Sequence, residues 1–157
     1  MTDTFNNQDS FNGFDILIPF VHELGFVLNF FEHGTSEIFY TPRSEHLNSF
    51  NVAHGGSLMT LLDVSMATAA RSVDKTLGVV TIEMKTSFLR PANGKLKAVG
   101  ELLHRTRSTA FVQASVFNEA GELCSHSSGT FRYVQRQPES QDVKADAGEV
   151  RINIATD

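Results

Sequence analysis

Only one cysteine, Cys124, occurs among the 157 residues, and tryptophan is absent. A single thiol excludes an intrachain disulfide and a cysteine-built metal cage, and it suits a reducing cytosol. Positive charge is also scarce: 13 basic side chains face 18 acidic ones, a formal net charge of −5. That balance disfavours nonspecific binding to nucleic acid or to an anionic membrane surface, although a local basic cluster still suits a small anion. His22, His33, His46, His104 and His126 show no ligand-like spacing, so no metal is expected. No stretch approaches the roughly 20 apolar residues of a membrane span, and the first residues lack a basic region followed by an apolar run. The expectation is a soluble, unprocessed, cytoplasmic protein with no membrane partner.

What is present is a helix almost without charge. From His54 to Ala70 the chain reads His-Gly-Gly-Ser-Leu-Met-Thr-Leu-Leu-Asp-Val-Ser-Met-Ala-Thr-Ala-Ala, and Asp63 is its one acid. A helix that is apolar or small all round is normally covered on every side. With about 100° between residues, Leu58, Leu61, Leu62, Ser65 and Ala69 share the main packing face. Asp63 lies away from them, among Gly56, Met59, Thr60, Met66, Ala67 and Ala70. These small or soft neighbours admit another surface closely. A carboxylate kept in such surroundings is costly to ionise unless something hydrogen-bonds it. The plainer reading is that Asp63 simply faces solvent.

The length fits one domain. Residues 1–12 are polar and expected to be flexible, 13–134 form the domain, and 135–157 are a polar tail in which Arg151 to Ala155 can add a short strand. Phe14, Ile16, Leu17, Phe20, Val21 and Leu24 recur at helical spacing up to Gly25, with Pro19 interrupting early. Gly25 to Glu32 and Thr35 to Thr41 read as strands around a His33-Gly34 turn. After the charge-poor helix come four strand candidates, Gly78 to Arg90, Lys95 to Arg105, Thr109 to Asn118 and Glu122 to Val134. Asn93-Gly94 is a hairpin signal, and turns are expected at Thr106-Arg107-Ser108 and Glu119-Ala120-Gly121. Val80, Ile82, Met84 and Phe88 alternate with Thr81, Glu83, Lys85 and Ser87, as in a strand with two different faces. The fold class is α+β, an antiparallel sheet wrapped around a long central helix. One sheet cannot cover a helix on all sides, so a second copy of the chain is the expected source of the remaining cover.

Asn48, His54-Gly55-Gly56, Asp63 nine residues after the histidine, and Ser87-Phe88-Leu89-Arg90-Pro91 together resemble the hotdog-fold acyl-CoA thioesterases, in the branch of the phenylacetyl-CoA thioesterases. The resemblance covers Phe26 to Val134. It implies hydrolysis of an acyl-CoA to the free acid and coenzyme A, without a cofactor, in a homodimer or in a homotetramer built from such dimers. It implies a site at the dimer interface, where Asn48 and the Gly55 N–H hold the thioester carbonyl and His54 shapes their loop. Asp63 of the second subunit then acts as general base or as nucleophile, and Thr81 stands where the family often has a hydroxyl that orients water. The coenzyme phosphates meet Arg107, with Arg105 and Arg90 as further candidates. An unpaired N–H at a helix amino end suits an oxygen that turns negative during attack.

Each of these residues also has an ordinary use. Asn48 can make a local turn bond, His54 can open the helix, Gly55 and Gly56 can serve close packing, and Thr81 can be a plain strand residue. Phe20, Phe26 and Phe50 are candidates for the acyl pocket, and core packing accounts for aromatic residues equally well. Ser72-Val-Asp-Lys75 imitates a penicillin-recognition motif at the wrong end of a helix, and Gly56-Ser57-Leu58 completes no nucleophile elbow. A hydratase or dehydratase acting on acyl thioesters and a noncatalytic acyl-CoA binder are the alternatives to hydrolysis.

Overall fold

A computed structural model describes residues 11–136. The expected strand at Arg151 to Ala155 lies outside the described residues. The elements are α1 (Pro19–Leu24), β1 (Val27–Glu32), β2 (Thr35–Tyr40), a 3-10 turn (Ser44–His46), α2 (Gly55–Arg71), β3 (Leu77–Phe88), β4 (Leu96–Arg105), β5 (Thr109–Phe117) and β6 (Leu123–Gln135). All strand pairs are antiparallel in one six-stranded sheet of order β1-β2-β4-β5-β6-β3. The sheet curls around α2, which touches every strand.

Local chemistry explains most of these boundaries. His33 and Gly34 both adopt positive φ, the requirement of a tight two-residue hairpin, and they join β1 to β2. Helix α1 begins at Pro19 instead of spanning it. Proline lacks an N–H and crowds the preceding turn, so it opens the helix, and Phe14 to Ile18 run irregularly. Phe11 and Asn12, expected in the flexible leader, belong to the domain: the Phe14 N–H bonds the Phe11 carbonyl and the Leu28 N–H bonds that of Asn12.

Two long-range features depart from the sequence reading. Asn93-Gly94 does not close a hairpin, because β3 pairs with β6 while β4 pairs with β2 and β5. The segment carrying Asn93 and Gly94 crosses between them, and its Lys95 N–H is held by the Glu119 carboxylate at 3.0 Å. Within β3 the simple alternation also fails, since the register shifts between Thr81 and Glu83. Thr81 opposes the buried Phe131 and Glu83 opposes Thr130, so the bulge at Ile82 turns Thr81 toward the helix side and leaves Glu83 outside.

The core sits between α2 and the sheet, with Leu61, Leu62, Met66 and Ala69 against Ile38, Ala98, Val112 and Phe131. The helix is held by more than apolar contact. Ser36 Oγ donates to the Ser65 carbonyl at 2.7 Å, and the Tyr133 hydroxyl donates to the Ala70 carbonyl at 2.9 Å. Gly100 lies where even a methyl group would sit 2.3 Å from the Ser65 carbonyl oxygen, so glycine permits the close approach of helix and sheet. Within one chain α2 is not wholly covered. Gly56, Met59, Thr60, Asp63 and Ala67 form a stripe that neither sheet nor loops bury.

Candidate active site

Two separate hollows open along α2. The first, about 360 Å³, lies at the helix amino end and is bounded by Asn48, Gly55, Leu58, Phe88, Arg90 and Pro91. His54 caps the helix: its Nδ1 accepts the Gly56 N–H at 2.9 Å. That bond uses the Gly56 donor, and a side chain on Gly56 would crowd the imidazole at 3.0 Å. Gly56 therefore serves the cap. The Gly55 N–H has no acceptor among the described residues, so it is a free donor at the positive end of the helix dipole. Asn48 makes the turn bonds of the plainer reading, its Oδ1 accepting from the Phe50 N–H at 2.9 Å and the Val52 N–H at 3.3 Å. With the oxygen so occupied, the amide Nδ2 is the group left to donate.

The second hollow, about 280 Å³, contains Asp63 and Thr81. Thr81 Oγ1 donates to Asp63 Oδ1 at 2.6 Å, a contact made possible by the bulge at Ile82. Burial pushes the Asp63 carboxyl above its usual value, and the Thr81 bond pulls it partly back. A half-buried carboxylate poised in this way can take a proton from water near neutral pH. Replacing Thr81 with Val removes the bond that favours the ionised acid. The acid limb of the kcat/KM profile is then expected to move to higher pH, and an unmoved limb would show that Thr81 does not tune Asp63. Two roomier depressions, near Phe39 and Lys95 and near Phe30 and Lys75, hold no half-buried acid.

The three arginines are not gathered together. Arg90 borders the first hollow and donates to the Leu123 carbonyl at 3.0 Å. Arg105 stacks its guanidinium on the Tyr133 ring at 4.6 Å, a packing role. Arg107 is exposed in the turn between β4 and β5. The aromatic candidates for a pocket line neither hollow: Phe26 is wholly buried against Tyr40, and Phe20 and Phe50 are 61% and 82% exposed. Sequence reasoning missed Phe14, Ile16, Ile18, Asp15, Arg71 and Arg136, all at or beside the second hollow. No spacing connects them, and the only local hint was a basic residue in the last turn of α2. Ser72 caps the end of α2 and accepts the Gly34 N–H at 2.7 Å, which disposes of the penicillin-type motif.

A family model described as the thioesterase superfamily matches residues 50–125. Over that stretch, just under half of its length, the chain is similar to the thioesterase superfamily. The matched stretch includes His54, Gly55, Asp63, Thr81 and the three arginines, while Asn48 stands just before it. A protein of Thermoplasma acidophilum that carries a provisional esterase name is 23% identical over 118 residues, covering 74% of this chain and 89% of that protein. A solved structure of a conserved Pseudomonas aeruginosa protein is 27% identical with a TM-score of 0.71, over 74% of this chain and 94% of that one. The structure of the E. coli PaaI protein, from the phenylacetic acid degradation operon, shares the fold at 23% identity and a TM-score of 0.70, over 74% and 85% of the two chains. The sheet wrapped around one long helix is the hotdog fold, and thioester hydrolysis is the reaction class of the superfamily. Among the described residues no helix is long and apolar enough to cross a membrane.

Proposed function

We propose that the protein hydrolyses acyl-CoA thioesters to the free acid and coenzyme A, in the cytoplasm, at sites shared between two copies of the chain. The observation that carries this reading is the division of the chemistry between two hollows. The free donor at Gly55 and the acid at Asp63 are eight residues apart on one helix, about 12 Å along its axis. One thioester carbon cannot touch both within a single chain. A second copy packed on the open stripe of α2 and on edge strand β3 brings the Gly55 end of one against Asp63 of the other. The apolar side chains left uncovered there, Met59, Val80 and Ile82, support that packing. A two-fold axis makes two such sites at once. A homotetramer of two dimers completes the proposed assembly.

In this arrangement the thioester oxygen accepts from the Gly55 N–H and from Asn48 Nδ2, donors already aimed at a developing negative charge. Asp63 takes a proton from water as the water oxygen bonds the carbonyl carbon. Collapse of the tetrahedral species breaks the C–S bond, and the departing sulfur receives the proton held by Asp63. Direct attack by the carboxylate, which breaks the C–S bond, expels the coenzyme A thiolate and forms an anhydride that water then opens to the free acid and the carboxylate, uses the same residues. Thr81 holds the acid in place, and the exposed Arg107 is the arginine best able to meet the coenzyme phosphates. The test is thiol release from acetyl-, butyryl-, octanoyl-, palmitoyl- and phenylacetyl-CoA, followed with a disulfide reagent. Release from some members is expected. Binding of these compounds without release from any would overturn hydrolysis in favour of a binding protein.

A further inference from the structure

The hollow beside Asp63 has two ends, and each is marked by a bond between α2 and β3. At one end Thr81 donates to Asp63; at the other Arg71 Nε donates to the Leu77 carbonyl at 3.2 Å. Asp63 and Arg71 are eight residues apart on α2, about 12 Å, and the intervening run of β3 spans about the same length. Between these cross-links the lining is mainly apolar, with Val64 and Ala67 of α2, Val79 of β3 and Phe14, Ile16 and Ile18 of the leading segment, and the Thr68 hydroxyl there is taken up by the Val64 carbonyl at 2.6 Å.

Charge closes the far end. The Arg71 guanidinium, only 11% exposed, grips both oxygens of Asp15 at 3.2 and 2.8 Å, and Arg136 approaches the same carboxylate at 3.6 Å. Both arginines border the hollow. Burial raises the Asp15 carboxyl, but the Arg71 bond and the two positive charges outweigh it and hold the group below its usual value. A hydrocarbon chain that reached this point would have to part a charge-assisted fork and leave buried charge without a partner.

We propose that the ion network of Asp15, Arg71 and Arg136 is the closed end of an acyl channel that starts at Asp63, and that it sets the longest acyl chain the protein accepts. The inference rests on the acyl-CoA hydrolysis proposed above and specifies its substrate class. At about 280 Å³ the channel lies at the lower edge of the roughly 300–1,000 Å³ typical of ligand pockets, so it suits a medium straight chain or a single ring. A palmitoyl chain does not fit without displacing the network.

The test compares kcat/KM for butyryl-, octanoyl- and palmitoyl-CoA in the full-length protein, Arg136→Ala and Ala67→Leu, with thermal melting of each. The wild type is expected to favour octanoyl over palmitoyl by about tenfold or more, the scale on which pocket length discriminates hydrocarbon chains. Opening the end with Arg136→Ala should raise the palmitoyl-to-octanoyl ratio about tenfold, and filling the middle with Ala67→Leu should lower the octanoyl-to-butyryl ratio about as much. Unchanged ratios in both variants, with or without lower melting temperatures, would reduce the network to a strut for the leading segment. That result overturns the channel while leaving thiol release and its dependence on Asp63 intact. No release from any acyl-CoA by the wild type overturns the channel together with the hydrolysis on which it rests.

Discussion

Asp63→Asn is expected to lower kcat for thiol release by about 10²–10⁴-fold, the range for loss of a positioned general base, with little change in KM. The same variant should melt at the same temperature as the wild type or higher. Burial raises the Asp63 pKa in the folded protein, so the native state binds more protons than the unfolded chain between the ordinary value of 3.8 and the raised one. Stability associated with this group is therefore greatest in acid and declines as pH rises through that window. Above it, the folded protein holds a carboxylate that water would solvate better. Asparagine removes this cost and keeps an oxygen to accept from Thr81, so the gain in melting temperature should be larger at pH 8 than at pH 4, close to the ordinary value. Steady-state kinetics and thermal melting at both pH values check the two halves separately. Wild-type turnover in a folded Asp63→Asn protein would end the proposed role of the acid.

Mixing two inactive variants should restore activity. Asn48→Ala removes one proposed donor to the carbonyl oxygen, a loss of about 10²–10³-fold in turnover. If each site takes Asn48 and Gly55 from one subunit and Asp63 from the other, a hybrid of Asn48→Ala and Asp63→Asn chains has one site with every group and one lacking two. Random exchange between equal amounts then returns about a quarter of wild-type turnover, because half of the dimers are hybrids with one working site each. The loop around Asn48 retains other anchors in the variant, including the Leu47–Ala53 bridge and the Ala53 N–H bond to the Ala92 carbonyl at 2.9 Å. Coexpression of differently tagged chains and purification of the doubly tagged hybrid make the measurement direct. A hybrid no more active than its parents would mean that the sites are not shared.

Much of the architecture is legible in short windows of sequence. The charge-poor run after His54 becomes α2, His33-Gly34 becomes a tight turn, and the strand candidates after Ala70 appear within a residue or two of their expected limits. The isolation of Asp63 is legible for the same reason: a helix with no other ionisable side chain from Gly55 to Ala70 announces burial around its one acid. These features depend on periodicity, on backbone preferences of single residues and on neighbours a few positions away. Such information is complete within ten or fifteen residues.

Tertiary packing decided the rest. Asn93-Gly94 carries a hairpin signal, yet β3 lies beside β6 because the sheet must close around α2, and no local preference outweighs burial of that helix. Thr81 shares its phase in the sequence with the polar Glu83, Lys85 and Ser87, yet a bulge separates it from them and it bonds Asp63. Phe26 resembles a pocket aromatic and is core, whereas Phe14 to Ile18, read as helix, run irregularly beside the acid. Asp15, Arg71 and Arg136 come together from three distant segments without any common spacing. Local elements follow from the order of residues because their forces act between near neighbours. The partners of a strand, the position of a bulge and the walls of a cavity depend on which distant surfaces exclude water together, and that exists only once the chain has folded.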